Sequence, residues 1–306
     1  MTDTSPSLPR GKPGAQTWDL LVDGVRHVLR LPPHTPRRPR YLFYRHGIAV
    51  RLLHWINALC MLVMLMSGLQ IFNASPALDW GISSNPDHHL LSLYADGTDE
   101  HFWGMTQIGP WRFNTDGVLG ASDTDGVKTV RGFPAWVTLP YQSPDLAMGR
   151  LWHLAFAWLL VINGLLYFIY LFWSGHYREL VPTRDDIRHL PREIASHARL
   201  QFPKGEAAKH YNGLQRLTYF VVVFVLGPLI VLTGLTMSPT LDSAFPFLLT
   251  LFGGRQSART IHFIVAFSFV GFLFIHIAAL IVSAPLNGLR SMITGWFAVE
   301  KEGKDV

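Results

Sequence analysis

The sequence predicts an all-α membrane protein, a four-helix transmembrane bundle with a long loop between helices 1 and 2. The 306-residue chain has a mean hydropathy of +0.22 and only 15% charged residues, which is apolar for a soluble domain. It contains four apolar runs, each long enough to cross a bilayer core of about 30 Å. Its arginines and lysines crowd into segments that flank these runs. Membrane topology therefore explains the net charge of +5, and nucleic acid is not an expected partner.

The four apolar runs predict helices at about 48–73, 150–174, 212–238 and 258–284. With the loop at 74–149 they make up a transmembrane domain at 46–290, between an N-terminal arm at 1–45 and a tail at 291–306. The first 40 residues hold seven prolines and no apolar segment long enough for a signal peptide, so we expect the N-terminus to be retained. The loop between helices 1 and 2 is too long to be structureless, so we expect it to fold as a cap.

Two features modify the later helices. Pro228 lies inside the third run and is tolerated there if neighbouring helices satisfy the freed carbonyl. Residues 241–254 have too few apolar positions to cross, so they predict an interfacial helix that ends at Gly253-Gly254.

Charge counts predict the orientation. Residues 1–47 hold eight Lys and Arg, residues 174–211 hold seven, and the tail after 284 holds three. The much longer segment 73–149 holds only three, against nine acidic residues. By the positive-inside rule both termini are cytoplasmic and the long loop is extracytoplasmic.

Two histidines in the fourth run suggest a chemical role. His262 and His276 are 14 residues apart, so they lie about 21 Å apart along the helix and only about 40° apart around it. Imidazole is costly inside a membrane unless it has a partner or a function, and it is a common iron ligand. The hypothesis is one axial ligand to each of two stacked haems.

The predicted topology gives each of these histidines a partner. His54 lies near the inner start of helix 1 and His276 lies toward the inner end of helix 4, so they pair at an inner haem. His153 and His262 both lie at the outer starts of inward-running helices, so they pair at an outer haem. A lone membrane histidine bonded to a neighbour's carbonyl is as common as a ligand, but four that match pairwise in depth are hard to explain by packing.

The single cysteine limits the chemistry. Cys60 lies inside an apolar run, which excludes disulfides, a CxxCH attachment site for c-type haem and cysteine-ligated iron–sulfur clusters within this chain.

Several segments resemble a known family: ArgLeuLeuHisTrpIleAsnAla at 51–58, GlyArgLeuTrpHis at 149–153, LysHisTyrAsnGlyLeuGlnArg at 209–216, and the His262/His276 pair. They look like the di-haem cytochrome b subunits of respiratory formate dehydrogenase, nickel–iron hydrogenase and thiosulfate reductase, grouped with bacterial cytochrome b561. The long loop and the segment at 252–259 resemble the thiosulfate-reductase-type branch. The resemblance covers roughly residues 45–290.

The resemblance implies two b-type haems, with His54/His276 on the inner one and His153/His262 on the outer one. It also implies quinone chemistry near the inner haem, an extracytoplasmic oxidoreductase partner that is often a molybdopterin enzyme, and a place in the bacterial inner membrane. Tyr211, Asn212 and Gln215 are the candidate quinone site, because phenol and amide groups can hydrogen-bond quinone oxygens. The rival interpretation is that they satisfy a helix N-terminus.

Three arginines are candidate contacts for haem propionates. Arg51, Arg150 and Arg259 each precede a candidate ligand by three residues, and the guanidinium fork suits carboxylates. The rival interpretation is snorkelling at the membrane edge. Glycines in the same helices, which would admit either a porphyrin face or close helix contact, are Gly68, Gly164, Gly234 and Gly271.

The expected function is that of a membrane-anchoring di-haem cytochrome b with no catalytic residues of its own. It would carry electrons between the quinone pool and the extracytoplasmic subunit of a respiratory oxidoreductase. The alternatives are a stand-alone cytochrome b561-like oxidoreductase that reacts with a soluble molecule at its outer haem, and a haem-free transporter that uses membrane histidines.

Overall fold

The computed structural model describes residues 40–141, 145–201, 211–283 and 285–300. Most of the predicted arm and the end of the predicted tail lie outside these residues. The chain divides into two compact units, and the smaller comprises 1–43, 203–209 and 298–306. Strands β1 (Arg40–Tyr44) and β8 (Trp296–Glu300) pair as a two-stranded sheet. The larger unit, residues 44–202 and 210–297, contains the features described below.

Four helices of the larger unit are long and apolar enough to cross a membrane. We refer to them as the first to fourth spans: Ile48–Phe72, Leu146–Trp173, Gly213–Met237 and Arg255–Ser283. Large apolar side chains such as Leu59, Leu166 and Phe274 stay exposed along them, as expected for surfaces that face lipid. The prediction of four apolar helices is confirmed, and the protein is a multi-pass membrane protein.

The third span changes its winding next to its proline. It is α-helical at Gly213–Phe220 and Gly227–Met237, with a π-helical turn at Val221–Leu226 between them. Pro228 has no N–H to donate to the preceding turn, and a π turn is one way in which a helix adjusts to such a gap. The helix accommodates its proline by this local change of winding.

The first and second spans are joined by a buried amide contact. Asn163, which is 2% exposed, donates from Nδ2 to Oδ1 of Asn57 at 2.7 Å and to the carbonyl of Leu53 at 3.0 Å. Inside a membrane, side-chain amides of this kind link neighbouring helices.

The segment between the first two spans folds as β-structure. Its strands are β2 Ala77–Leu78, β3 Leu91–Gly97, β4 Phe102–Ile108, β5 Trp111–Asn114, β6 Gly120–Thr124 and β7 Val127–Arg131. A four-stranded antiparallel sheet has the order β2-β3-β4-β5, and a separate hairpin pairs β6 with β7. A β-carbon on Gly120 would lie 2.3 Å from the carbonyl oxygen of Tyr94, so only glycine lets the hairpin backbone pack against the sheet.

We refer to residues 73–141 as the β segment. Aromatic packing and hydrogen bonds between side chains and backbone groups fix it to the ends of two spans. The Phe72 ring, at the end of the first span, lies 4.9 Å from that of Phe263 on the fourth and 5.7 Å from that of Phe133. The carbonyl of Asp79 accepts from the Thr260 hydroxyl at 2.6 Å, and the amide of Gly81 donates to Ser257 at 2.7 Å. The segment that follows the first span is therefore built onto the start of the fourth.

Short helices complete the unit. They are α-helices at Tyr177–Leu180, Arg184–Ala198, Pro239–Ala244, Phe247–Phe252 and Pro285–Thr294. The interfacial helix expected at 241–254 is thus two helices, interrupted before Pro246, because a helix rarely continues through the residue that precedes a proline. The second ends at Gly253, whose φ of 71° is the left-handed conformation that caps helices and favours glycine.

Candidate functional site

Two pairs of histidine rings face each other between the spans. The ring centres of His153 and His262 are 6.3 Å apart, and those of His54 and His276 are 6.4 Å apart. We refer to His153/His262 as the loop-side pair, because it lies beside the end of the first span that leads into the β segment. His54/His276 is the far-side pair. The structure brings together the two pairs that depth along the helices predicts.

The spacing within each pair suits a single iron atom between the two rings. An iron about 2.0 Å from one nitrogen of each imidazole, with each nitrogen roughly 1.1 Å from its ring centre, separates the centres by about 6 Å. Both pairs have this separation, so the donor set fits two bis-imidazole haems.

The tautomer of the loop-side histidines also suits ligation. Nδ1 of His153 lies 3.1 Å from the carbonyl oxygen of Met64, which can only accept, so Nδ1 carries the hydrogen. Nδ1 of His262 lies 3.0 Å from the hydroxyl of Thr233. A ring that donates from Nδ1 keeps its free lone pair on Nε2, which is how metal-ligating histidines are commonly held.

Two glycines give the loop-side rings their room. A β-carbon on Gly68 would lie 3.3 Å from Cε1 of His153, and one on Gly234 would lie 3.4 Å from Cε1 of His262. These two glycines therefore serve close contact with an imidazole. Gly164 and Gly271 differ, because a β-carbon there would meet no atom within 4 Å.

Two buried nitrogens at or beside the far-side pair lack partners. Nδ1 of His54 and Nε of Arg51 are both buried and lack a hydrogen-bond partner among the described residues. Arg51 also donates from Nη1 to the carbonyl of Ile293, and Trp55 donates to the carbonyl of Met292 at 3.1 Å. Arg51 is thus fixed by the helix Pro285–Thr294, with a second donor left for an acceptor such as a carboxylate.

The other two candidate arginines differ in their surroundings. Arg150 is exposed. Arg259 donates to the carbonyl of Ser75 and lies over the Phe72 ring, 5.3 Å from its centre. Part of the Arg259 guanidinium therefore holds the start of the β segment.

Two of the candidate quinone residues cap a helix. Oδ1 of Asn212 accepts from the amide of Gln215 at 2.8 Å, and Oε1 of Gln215 accepts from the amide of Asn212 at 3.2 Å. This reciprocal pair is a capping box, the rival interpretation of these residues, and it occupies both side-chain oxygens. The side-chain NH2 of Asn212 lies 3.3 Å from Nε2 of His197.

Tyr211 presents a partly buried phenol beside this cap. Its ring is edge-on to Tyr219 with centres 5.2 Å apart, and the Arg45 guanidinium lies 5.6 Å from its centre. Burial, and then the nearby Tyr219, raise the pKa of the Tyr211 phenol well above its usual range. The hydroxyl therefore stays protonated at neutral pH and can act as a hydrogen-bond donor.

Sequence reasoning missed a carboxylate that anchors the third span. Glu193 accepts from the backbone amides of Gly213 at 3.3 Å and Leu214 at 2.7 Å. An anion at a helix N-terminus satisfies unpaired amides and the helix dipole. Nothing in the spacing pointed to it, because Glu193 comes from the separate helix Arg184–Ala198.

The histidines of the β segment do not assemble a metal site. Among the described residues there is no group of three or more His, Cys, Asp or Glu that could hold a metal ion. His89 bonds from Nδ1 to the buried carboxylate of Asp79 at 2.7 Å, which gives it a structural partner.

Comparison with known proteins gives two matches. A family described as prokaryotic cytochrome b561 matches residues 45–295, which contain all four spans and all four histidines. The chain is also 25% identical over 252 residues to a protein of Azospira oryzae, with 82% of this chain and 96% of that protein aligned. That protein bears the provisional name protein-methionine-sulfoxide reductase subunit YedZ1.

Proposed function

The chain belongs to the prokaryotic cytochrome b561 family, and from this we propose that it is the membrane-anchoring di-haem subunit of a quinone-linked oxidoreductase. In this proposal His54 and His276 hold one b-type haem and His153 and His262 hold the other. The observation that carries it is the pair of ring separations, 6.4 Å and 6.3 Å, each with room for one iron.

Charge distribution supports an orientation for the two sites. The described arginine-bearing segments 40–51 and 174–199 adjoin the span ends nearest the far-side pair, which supports that pair as the inner one and the loop-side pair as the outer one. Both termini are then cytoplasmic in the bacterial inner membrane. Bound haem supplies one-electron transfer, and the fourth span sets the interval between the two sites, since its two histidines are 14 residues apart.

The quinone is proposed to bind beside the inner pair, at the start of the third span. The Tyr211 phenol is partly buried, and its raised pKa keeps it protonated, so it can donate to a quinone oxygen. The capping box leaves only the NH2 groups of Asn212 and Gln215 for the same purpose. We therefore propose that Tyr211 donates the main hydrogen bond to the quinone and that the NH2 groups of Asn212 and Gln215 donate additional ones.

The partner is proposed to dock on the extracytoplasmic side, where the β segment lies in this orientation. The relative is named as a subunit of a protein-methionine-sulfoxide reductase, which supports a membrane subunit that serves a separate reductase. We extend that assignment to an extracytoplasmic oxidoreductase, of the molybdopterin class that the thiosulfate-reductase-type resemblance implies.

Haem quantification tests the proposal directly. The purified chain should contain two b-type haems with a reducible bis-imidazole spectrum. His262→Ala and His276→Ala should each retain one haem, and each a different one. If both variants kept both haems, the ligand assignment would be refuted, and a purified wild-type chain without b-type absorption would refute the proposal as a whole. Purification of an external redox subunit with the tagged chain tests the partner separately.

A further inference from the structure

Each loop-side histidine contacts a hydroxyl residue and the glycine that follows it, although His153 lies on the second span and His262 on the fourth. Ser67 on the first span lies 3.2 Å from Nδ1 of His153, and Thr233 on the third span lies 3.0 Å from Nδ1 of His262. Both hydroxyl residues are fully buried. Each is followed by the glycine against which the same histidine packs, Gly68 in the first case and Gly234 in the second.

The direction of these hydrogen bonds follows from the hydroxyl hydrogens. Ser67 donates to the carbonyl of Val63 at 2.7 Å, and Thr233 donates to the carbonyl of Leu229 at 2.7 Å. With its own hydrogen committed to the preceding turn, each hydroxyl oxygen accepts from the histidine. His153 shares its single Nδ1 hydrogen between Ser67 and the carbonyl of Met64. Donation to a carbonyl also polarises a hydroxyl and strengthens it as an acceptor.

His54 of the far-side pair lacks this arrangement. Nδ1 of His54 is buried and has no hydrogen-bond partner among the described residues. The two sites therefore have the same ligands and the same ring separation, but they differ in what supports the ligands.

We propose that Ser67 and Thr233 are positioning residues that lower the reduction potential of the loop-side haem below that of the far-side haem. The inference rests on the proposed function, since it requires two haems. A ligand whose N–H donates to an acceptor gives more electron density to the metal, which favours the ferric over the ferrous state. An unsupported Nδ1 at the far-side pair leaves the potential there higher.

The difference in reduction potential between the two haems determines which of them holds an electron. A single electron on the chain then resides mainly at the far-side pair, on the side where quinone is proposed to bind. The loop-side site, when reduced, is the stronger reductant toward an external partner.

Optical redox titration of the purified chain tests this inference. The wild type should titrate in two one-electron steps, and the His262→Ala chain, which keeps only the far-side haem, identifies the upper step. Thr233→Val removes the hydroxyl and keeps the shape of the side chain. It should shift the lower step to higher potential and leave the upper step unchanged. Ser67→Ala should shift the lower step in the same direction by less and keep its haem, because His153 retains the Met64 carbonyl as an acceptor, and the double variant should shift further than either.

A matched control is available on the same span. Thr236 is fully buried and donates to the carbonyl of Leu232 at 2.8 Å, but within the described part of the chain no hydrogen bond joins it to a histidine. Thr236→Val should leave both steps where they are, and Thr233→Ser, which restores the hydroxyl, should return the lower step to the wild-type value. Two haems whose lower step does not move in Thr233→Val and Ser67→Ala would overturn the inference and leave the proposed function intact. If Thr233→Val binds no loop-side haem, the titration of Ser67→Ala decides in its place, since it also removes a hydroxyl that accepts from a loop-side histidine.

Discussion

The α-carbon of Gly68 lies against the imidazole of His153, so that a β-carbon at position 68 would be 3.3 Å from Cε1 of the ring. Gly68→Ala should push the ring away by a few tenths of an ångström, and overpacking of this kind typically costs about 1 to 3 kcal/mol. We expect partial loss of the loop-side haem with the far-side haem retained. Haem per chain and the reduced-minus-oxidised spectrum measure this, and the far-side haem in the same sample is the control. Equal loss of both haems would show that the substitution acts on the whole fold.

Arg131 should be important for the stability of the β segment. It is 4% exposed and donates from Nη2 to Gln70 on the first span at 3.2 Å and to Thr138 at 2.9 Å. Arg131→Met removes the donors and leaves buried acceptors unpaired, which should lower stability by roughly 2 to 4 kcal/mol. The thermal unfolding midpoint in detergent and the rate of proteolysis within residues 73–141 should both report the loss.

The control for this prediction is Arg112→Met. Arg112 lies on the same β segment but is exposed, so its replacement should change stability by less than about 0.5 kcal/mol. Equal midpoints for the two variants would contradict the structural role of Arg131.

His46 should make stability depend on pH. Burial, followed by the charge of Arg45 and smaller effects of His54, His176 and Arg51, lowers the pKa of His46 from 6.5 to about 4. Between these values the unfolded chain binds a proton that the folded chain does not, so stability falls as the pH falls through this window, by at most about 1.4 kcal/mol per pH unit. Above about pH 6.5 both states are neutral and the contribution does not change.

Thermal unfolding at about pH 5 and about pH 7.5 measures this effect, since the two values lie within and above the window. His46→Gln should reduce the difference between the two midpoints, whereas the exposed His88→Gln should leave it as in the wild type. An unchanged difference in His46→Gln would show that other groups cause the pH dependence.

The sequence predicted the histidine pairs because helix rise is regular. Counting residues from the ends of apolar runs gave depth, and depth was enough to place His54 with His276 and His153 with His262. Depth does not give the rotation of each span about its own axis. That rotation determines whether Ser67 and Thr233 reach the loop-side rings. The β segment was expected to fold, but its short strands depend on contacts such as the close approach of Gly120 to the carbonyl of Tyr94, which no periodicity in the sequence reveals.

The start of the third span shows a different limit. Asn212 and Gln215 have the spacing of a capping box and also the chemistry of a quinone site, and the sequence allowed both interpretations. The structure shows the cap, yet a cap does not exclude a second role for the NH2 groups. Substitutions that keep the helix cap but remove the side-chain NH2 can distinguish capping from quinone binding.

Asn212→Ser and Asn212→Ala make that separation. Serine is a good N-cap, so Asn212→Ser should keep most of the stability, whereas Asn212→Ala should lose about 1 kcal/mol through the cap. If the Asn212 amide also contacts quinone, both variants should oxidise quinol more slowly, with haem content and potentials unchanged. Normal quinol oxidation in Asn212→Ser, together with the stability loss in Asn212→Ala, would assign Asn212 to the cap alone.

Tyr211→Phe tests the proposed quinone site independently of Asn212. It removes the phenol hydroxyl without changing the capping box, so quinol oxidation should fall whichever role Asn212 has.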